Sequence, residues 1–140
     1  MYLRKEIISM NKKVVLGARV LLGLLFLVFG ANGLMMVLTG SGFIPMPPPS
    51  PADMAVMGGI FSLKYLLPLV KALEIISGIL LLCGCYINLA LVLLAPIVVN
   101  ILCVHLFLIP SGLPMGLFIV ALLLILFADR WDSFKGLLDK

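Results

Sequence analysis

The chain has 140 residues, of which 64% are hydrophobic and only 11% charged, with a mean hydropathy of +1.30. No water-soluble core of this size needs so much apolar side chain, so a soluble globular fold is excluded, and so is a second domain of any size. A net charge of +4 would suggest nucleic acid in a soluble protein, but here the basic residues flank apolar runs, which excludes a nucleic acid partner and points to a membrane.

Residues 1–13 form a tail carrying Arg4, Lys5, Lys12 and Lys13, and Met10-Asn11-Lys12-Lys13 reads as an alternative translation start. The first apolar run, Val14 to Leu38, exceeds the roughly 20 helical residues that cross hydrocarbon. It is too long for the h-region of a signal peptide, about 7 to 15 residues, and it contains Arg19.

After it comes the one long connection, Thr39 to Tyr65, whose Pro45 to Pro51 segment must be extended because consecutive prolines fix φ and remove donors. Ser50-Pro51-Ala52-Asp53 then supplies an N-cap serine, a first-turn proline and an acid near the helix dipole. A short helix is expected there, its Ala55, Val56, Met57, Ile60 and Phe61 lying on the outer leaflet or folding over the bundle.

The second and third spans, Leu66 to Cys85 and Tyr86 to Ile109, are joined by a tight turn at Gly84 and must be antiparallel neighbours. In the next turn Ser111 is expected to cap and Pro114 to occupy the first turn of the fourth span, about Gly112 to Ala128. Residues 129–140 form an interfacial tail in which Trp131, Phe134 and Leu138 recur at helical spacing. Arg130, Lys135 and Lys140 follow the fourth span, whereas the outer connections hold only Lys64. The reading is an all-α integral membrane four-helix bundle over residues 14–128, with both termini cytoplasmic and a short extra helix in the outer connection.

A charge at the bilayer centre costs roughly 2.5 to 3.5 kcal/mol on insertion scales, so intramembrane ionisable groups are site candidates. At about 1.5 Å per residue, Asn32, Lys71, Glu74, Asn100 and His105 all fall in the outer half of the bilayer. They are the candidate ligand-binding set, expected to line a cavity between spans two and three beneath the Pro45 to Ile60 connection. Lys71 and Glu74, three apart, share a face and can pair. Asn100 and His105, five apart, point in different directions unless Pro96 bends their helix. The alternative role for the set is a network holding helices together, and a proton or ion path is a third.

Arg19 shares a face with Gly23, Gly30 and Gly33, and Gly78 falls on the face of Glu74, so these five residues are expected at helix contacts or at a lipid or partner contact. Cys83-Gly84-Cys85 faces the reducing cytoplasm and reads as small residues in a turn. One histidine supports neither a haem pair nor a zinc cage, and the methionines around the outer connection read as flexible packing. No nucleophile triad, phosphate loop or carboxylate pair is present, and no catalytic residue is assigned.

The segments Ala18-Arg19-Val20-Leu21-Leu22-Gly23 through Phe29-Gly30-Ala31-Asn32-Gly33-Leu34, and Leu73-Glu74-Ile75-Ile76-Ser77-Gly78 through Cys83-Gly84, resemble the DoxX family of small four-helix bacterial membrane proteins. The resemblance covers nearly the whole length. Members often carry a lysine where Leu34 stands. The resemblance implies the bacterial cytoplasmic membrane and an association with redox chemistry, since relatives include a subunit of thiosulfate:quinone oxidoreductase and partners of oxidative-stress enzymes. The expected function is a non-catalytic membrane subunit or scaffold for such a complex, with a quinone or lipid bound in the outer half. Its expected partners are membrane lipid, a redox enzyme and a second copy of the chain. A quinone-linked subunit that moves protons is one alternative. A small-solute transporter is another, from the inverted use of Arg19-x-x-x-Gly23 and Glu74-x-x-x-Gly78.

Overall fold

The computed structural model describes residues 10–137. Arg4 and Lys5 of the tail, the residues before the alternative start, and Leu138 and Lys140 lie outside them. The described chain is helical, without strands: α1 (Lys12–Thr39), α2 (Pro51–Ser62), α3 (Leu66–Cys83), α4 (Ile87–Phe107), a 3₁₀ turn (Pro110–Gly112), α5 (Leu113–Asp129), α6 (Trp131–Phe134) and a closing 3₁₀ turn (Lys135–Leu137). The α1, α3 and α4 helices, and the segment Pro110–Asp129 that joins the first 3₁₀ turn to α5, are long and apolar enough to cross a membrane. Their outward faces expose Leu24, Val28, Ile76, Leu89, Val92, Val99, Leu117 and Leu124. Such a belt is incompatible with water and natural against lipid tails.

The ends of these helices follow from local chemistry. Asn11 opens α1 by accepting the Lys13 N–H at 2.9 Å, two residues earlier than the apolar run alone implies. Ser50 and Asp53 form the expected reciprocal cap of α2, each side chain bonded to the other's backbone N–H at 3.2 Å. The second span stops at Cys83 rather than Cys85 because Gly84 takes φ +71°. The Cys85 N–H then reaches back to the Leu80 carbonyl and the Gly84 N–H to that of Leu81, a Schellman closure. Ser111 does not cap the fourth span. It lies inside the 3₁₀ turn, and neither that turn nor α5 has a side-chain cap. Pro114 does occupy the first turn of α5, where no N–H is required.

The packing order is α1 on α3, α3 on α4, α4 on α5 and α5 back on α1. One end of the bundle gathers the start of α1, the α3–α4 turn and the end of α5, because Arg19 packs against Gly84 and shares a cavity with Ile87 and Leu126. This is called the terminal end here, and the opposite one, carrying α2 and the 3₁₀ turn Pro110–Gly112, the loop end. The apolar core is Ala18, Leu22 and Phe26 of α1, Leu81 of α3, Ile87, Ala90, Leu91, Leu94, Ile97 and Val98 of α4, and Ile119, Leu122, Leu123 and Leu126 of α5. Beyond it Phe134 turns back onto Phe127, with ring centroids 4.9 Å apart. Trp131 stays exposed beside it.

The contact between α1 and α3 is made of backbone. A Cβ on Gly78 would stand 2.7 Å from the Leu27 nitrogen and 2.8 Å from the Gly23 oxygen, and one on Gly23 would stand 3.1 Å from the Gly78 oxygen. A Cβ on Gly30 would come 3.0 Å from Ile75 Cγ1 and 3.1 Å from Glu74 Cβ. Lipid tails are as apolar as leucine, so for helices apolar enough to cross a membrane it is this close approach, and not exclusion from water, that would drive association in a bilayer.

Gly78→Ala is therefore expected to destabilise the detergent-solubilised protein by about 1 to 3 kcal/mol, the usual range for overpacking. Gly58→Ala, where nothing lies within 4 Å of the added carbon, should leave the unfolding midpoint in place. Denaturant-induced unfolding followed by circular dichroism checks both, and equal effects would contradict the backbone contact.

Candidate functional site

At the loop end a cavity of about 270 Å³ opens between α1, α2 and α3. Phe29, Asn32, Gly33 and Met36 of α1 form one wall, Leu67 and Lys71 of α3 another, and Met57, Ile60 and Phe61 of α2 the cover, with Met46 of the extended segment at the rim. Helix α2 reaches this place with no buried residue of its own. It is tethered at one side by the proline-rich segment and at the other by the short turn into α3.

The polar groups of the cavity are held by specific neighbours. Asn32 is 3% exposed, and its Oδ1 accepts the Ile44 N–H at 2.8 Å. One buried amide thus pins the start of the connection to the wall of α1. Its NH₂ group makes no hydrogen bond among the described residues. The Lys71 Nζ donates to both oxygens of Glu74, at 3.0 and 2.9 Å. The lysine side chain is 23% exposed and the glutamate 3%, so Glu74 is sealed between helices while Lys71 meets the cavity.

Gly33 makes this arrangement possible. A Cβ there would collide with Cε and Cδ of Lys71 at 2.6 and 2.8 Å, so the lysine stem lies in a notch that only glycine provides. With two N–H bonds given to Glu74, the third N–H of Lys71 is free to donate to a ligand.

Asn32, Lys71 and Glu74 are thus brought together, and Asn100 and His105 are not. The expected placement of the cavity between spans two and three is corrected. It lies on the other side of α3, between the first and second spans and under α2. His105 is half-buried against Gly112 and Gly116, and its Nδ1 lies 3.0 Å from the Ile109 carbonyl oxygen. That carbonyl also accepts the Gly112 N–H at 3.3 Å, so the ring and the turn share one acceptor where α4 ends. Asn100 is exposed on the outer face of α4. Helix α4 runs unbroken through Pro96, and the two side chains share no face. Common depth did not mean common direction.

Arg19 is at the terminal end, its guanidinium over Gly84, where a Cβ would lie 2.7 Å from one terminal nitrogen. Cys83, Cys85 and Cys103 are free and exposed. Among the described residues no group of three or more histidine, cysteine or acidic side chains could hold a metal ion. What sequence reasoning missed was the apolar wall of Phe29, Met36, Ile60 and Phe61. Its signal was available in Gly33, which shares its depth with Lys71 on the neighbouring antiparallel span.

Comparison with known proteins finds no matching family model, no similar curated protein and no similar solved structure.

Removing one member of the Lys71–Glu74 pair leaves the other charge uncompensated in a dry setting. Glu74→Ala should cost about 3 to 5 kcal/mol, and Lys71→Ala with Glu74→Ala considerably less. Thermal unfolding of the two variants in one detergent measures the difference, and equal losses would mean that the charges act independently.

Proposed function

We propose that this chain is a non-catalytic multi-pass subunit or scaffold of the bacterial cytoplasmic membrane, related to the DoxX family, which holds a quinone-like molecule under α2 and presents it to a redox partner. The observation that carries the reading is the loop-end cavity, an apolar enclosure whose one free charged donor is fixed in direction by a buried carboxylate. The four apolar helices and the glycine contacts between α1 and α3 are consistent with the family resemblance.

A quinone fits the residues present. Its flat ring suits walls of Phe29, Leu67, Ile60 and Phe61, and its carbonyl oxygen needs a donor such as Lys71 or the Asn32 amide. The cavity, about 270 Å³, is near the lower end of small-molecule sites, so it takes a head group while an isoprenoid tail runs out between helices into lipid. When bound, a quinone supplies an acceptor for two electrons and two protons. The chain itself orients and shields: Lys71 donates, Glu74 holds Lys71 in place, and α2 covers the cavity. No nucleophile or base is aimed into the cavity in a way that suggests chemistry by this chain alone.

The protein purified in mild detergent should quench a short-chain quinone's fluorescence competitor, or retain native quinone by mass spectrometry. Lys71→Met should reduce that occupancy about ten-fold, the value of one charge-assisted hydrogen bond. His105→Ala, which alters a side chain remote from the cavity, should not. Loss of quinone in both variants alike, or in neither, would remove the reading.

The same proposal places both termini in the cytoplasm, on the basic residues Lys12, Lys13, Arg130 and Lys135 at the terminal end against Lys64 at the loop end. A phosphatase reporter, active only outside the cytoplasm, should be silent when fused after Lys140 and active when inserted at Pro48. The reverse result would invert the topology.

A further inference from the structure

A second cavity, of about 360 Å³, lies at the terminal end between the start of α1, the start of α4 and the end of α5. Lys12, Arg19 and Arg130 line it against a single carboxylate, Asp129, and Ile87 and Leu126 are among its apolar walls. Asp129 is already engaged, its Oδ2 3.6 Å from the Arg130 Nε. Arg19 is not: its Nε is buried with no hydrogen-bond acceptor, and among the described residues its guanidinium makes no ion pair. A buried guanidinium nitrogen without an acceptor is a donor whose hydration has been removed and not replaced. Three cations converging on one cavity at a membrane boundary leave a positive field there, and the planar arginine fork matches a tetrahedral oxyanion.

We propose that this cavity is a binding site for a phosphate group, with the half-buried Arg19 guanidinium as the inner donor and Lys12 and Arg130, the latter beside Asp129, as the outer clamp. The apolar half of the wall, Ile87 and Leu126, suits the glycerol and first methylenes of an anionic phospholipid. A soluble phosphate ester shares the headgroup chemistry and lacks the apolar part. The site differs from the loop-end cavity in place and charge, and it stands whether or not a quinone binds there.

Trp131 is the chain's one tryptophan and directly follows Arg130, so its fluorescence reports on the cavity mouth. The full-length protein in a zwitterionic detergent is titrated with dioctanoyl phosphatidylglycerol, with dioctanoylglycerol, which has no phosphate, and with inorganic phosphate. A saturable change is expected with the phospholipid and none with dioctanoylglycerol. Arg19→Gln and, separately, Arg130→Gln should each weaken it about ten-fold or more, as loss of a charge-assisted bond predicts. Lys135→Gln removes an exposed lysine paired with Asp132 and should leave the affinity unchanged. Saturation by inorganic phosphate at similar concentration would support the phosphate site and assign it to a soluble ester, and a response to the phospholipid alone would assign it to lipid. The proposal is overturned if dioctanoylglycerol saturates equally. It is also overturned if Lys135→Gln weakens binding as much as Arg130→Gln, since charge attraction at the surface would then explain the response. Should Arg19→Gln fail to fold, Arg130→Gln decides the matter by the same comparison.

Discussion

The close approach of α1 and α3 is the constraint from which the rest of the molecule follows. Gly23, Gly30 and Gly33 on one helix meet Gly78, Ile75 and Lys71 on the other in order, as antiparallel neighbours must. In hydrocarbon no water is released when two apolar helices meet, so contact depends on how near their backbones come. Glycine at four positions sets that distance. Because Gly30 packs on Glu74 and Gly33 on the stem of Lys71, the seam that joins the helices also determines where the charges sit. Structural and candidate functional roles are carried by one surface.

The charge pair could hold together with no help from α1, since three residues of helix bring Lys71 within reach of Glu74. What α1 adds is asymmetry. Glu74 is buried and Lys71 partly open, so the pair turns its cationic side to the cavity and hides its anionic side between backbones. A pair exposed symmetrically would present a dipole of no fixed sign to a ligand. Asn32 extends the same logic to the connection: one amide oxygen takes the Ile44 N–H, and the extended segment leaves the bundle in a fixed direction towards α2.

How much of this was legible in the sequence depended on the range of the interaction. The four spans, the Ser50 and Asp53 cap, the Gly84 turn and the Lys71 to Glu74 spacing are local, and each is set by residues within a few positions of one another. Depth along the helix was also legible. The five-residue spacing of Asn100 and His105 also gave their divergence, which stands because α4 runs unbroken through Pro96; what it did not give is the neighbour each meets, His105 facing Gly112 of the turn and Gly116 of α5 and Asn100 left on the outside. Two glycines four apart at the start of the last span were a notch for a large ring, and they marked the partner of His105. Ser111 failed as a cap because a 3₁₀ turn already occupies that corner, which no local motif announces. The terminal-end cavity escaped notice because Arg19, Gly84 and Arg130 are far apart in sequence and meet only once the bundle closes.

The two cavities share α1 and use the same device, a long cation laid over a glycine, Lys71 on Gly33 and Arg19 on Gly84. They differ in what can move. The α1–α3 seam cannot part without separating backbones in direct contact, so of the three walls of the loop-end cavity the least firmly held is α2, which has no buried residue and rests on the bundle through partly exposed side chains. At the terminal end the walls are the ends of long helices, and the charged groups around the cavity are side chains with several rotatable bonds. The segment that covers the loop-end cavity is tethered by the Asn32 to Ile44 hydrogen bond and a run of prolines. That bond and the turn into α3 therefore set how far α2 can lift from the cavity below it.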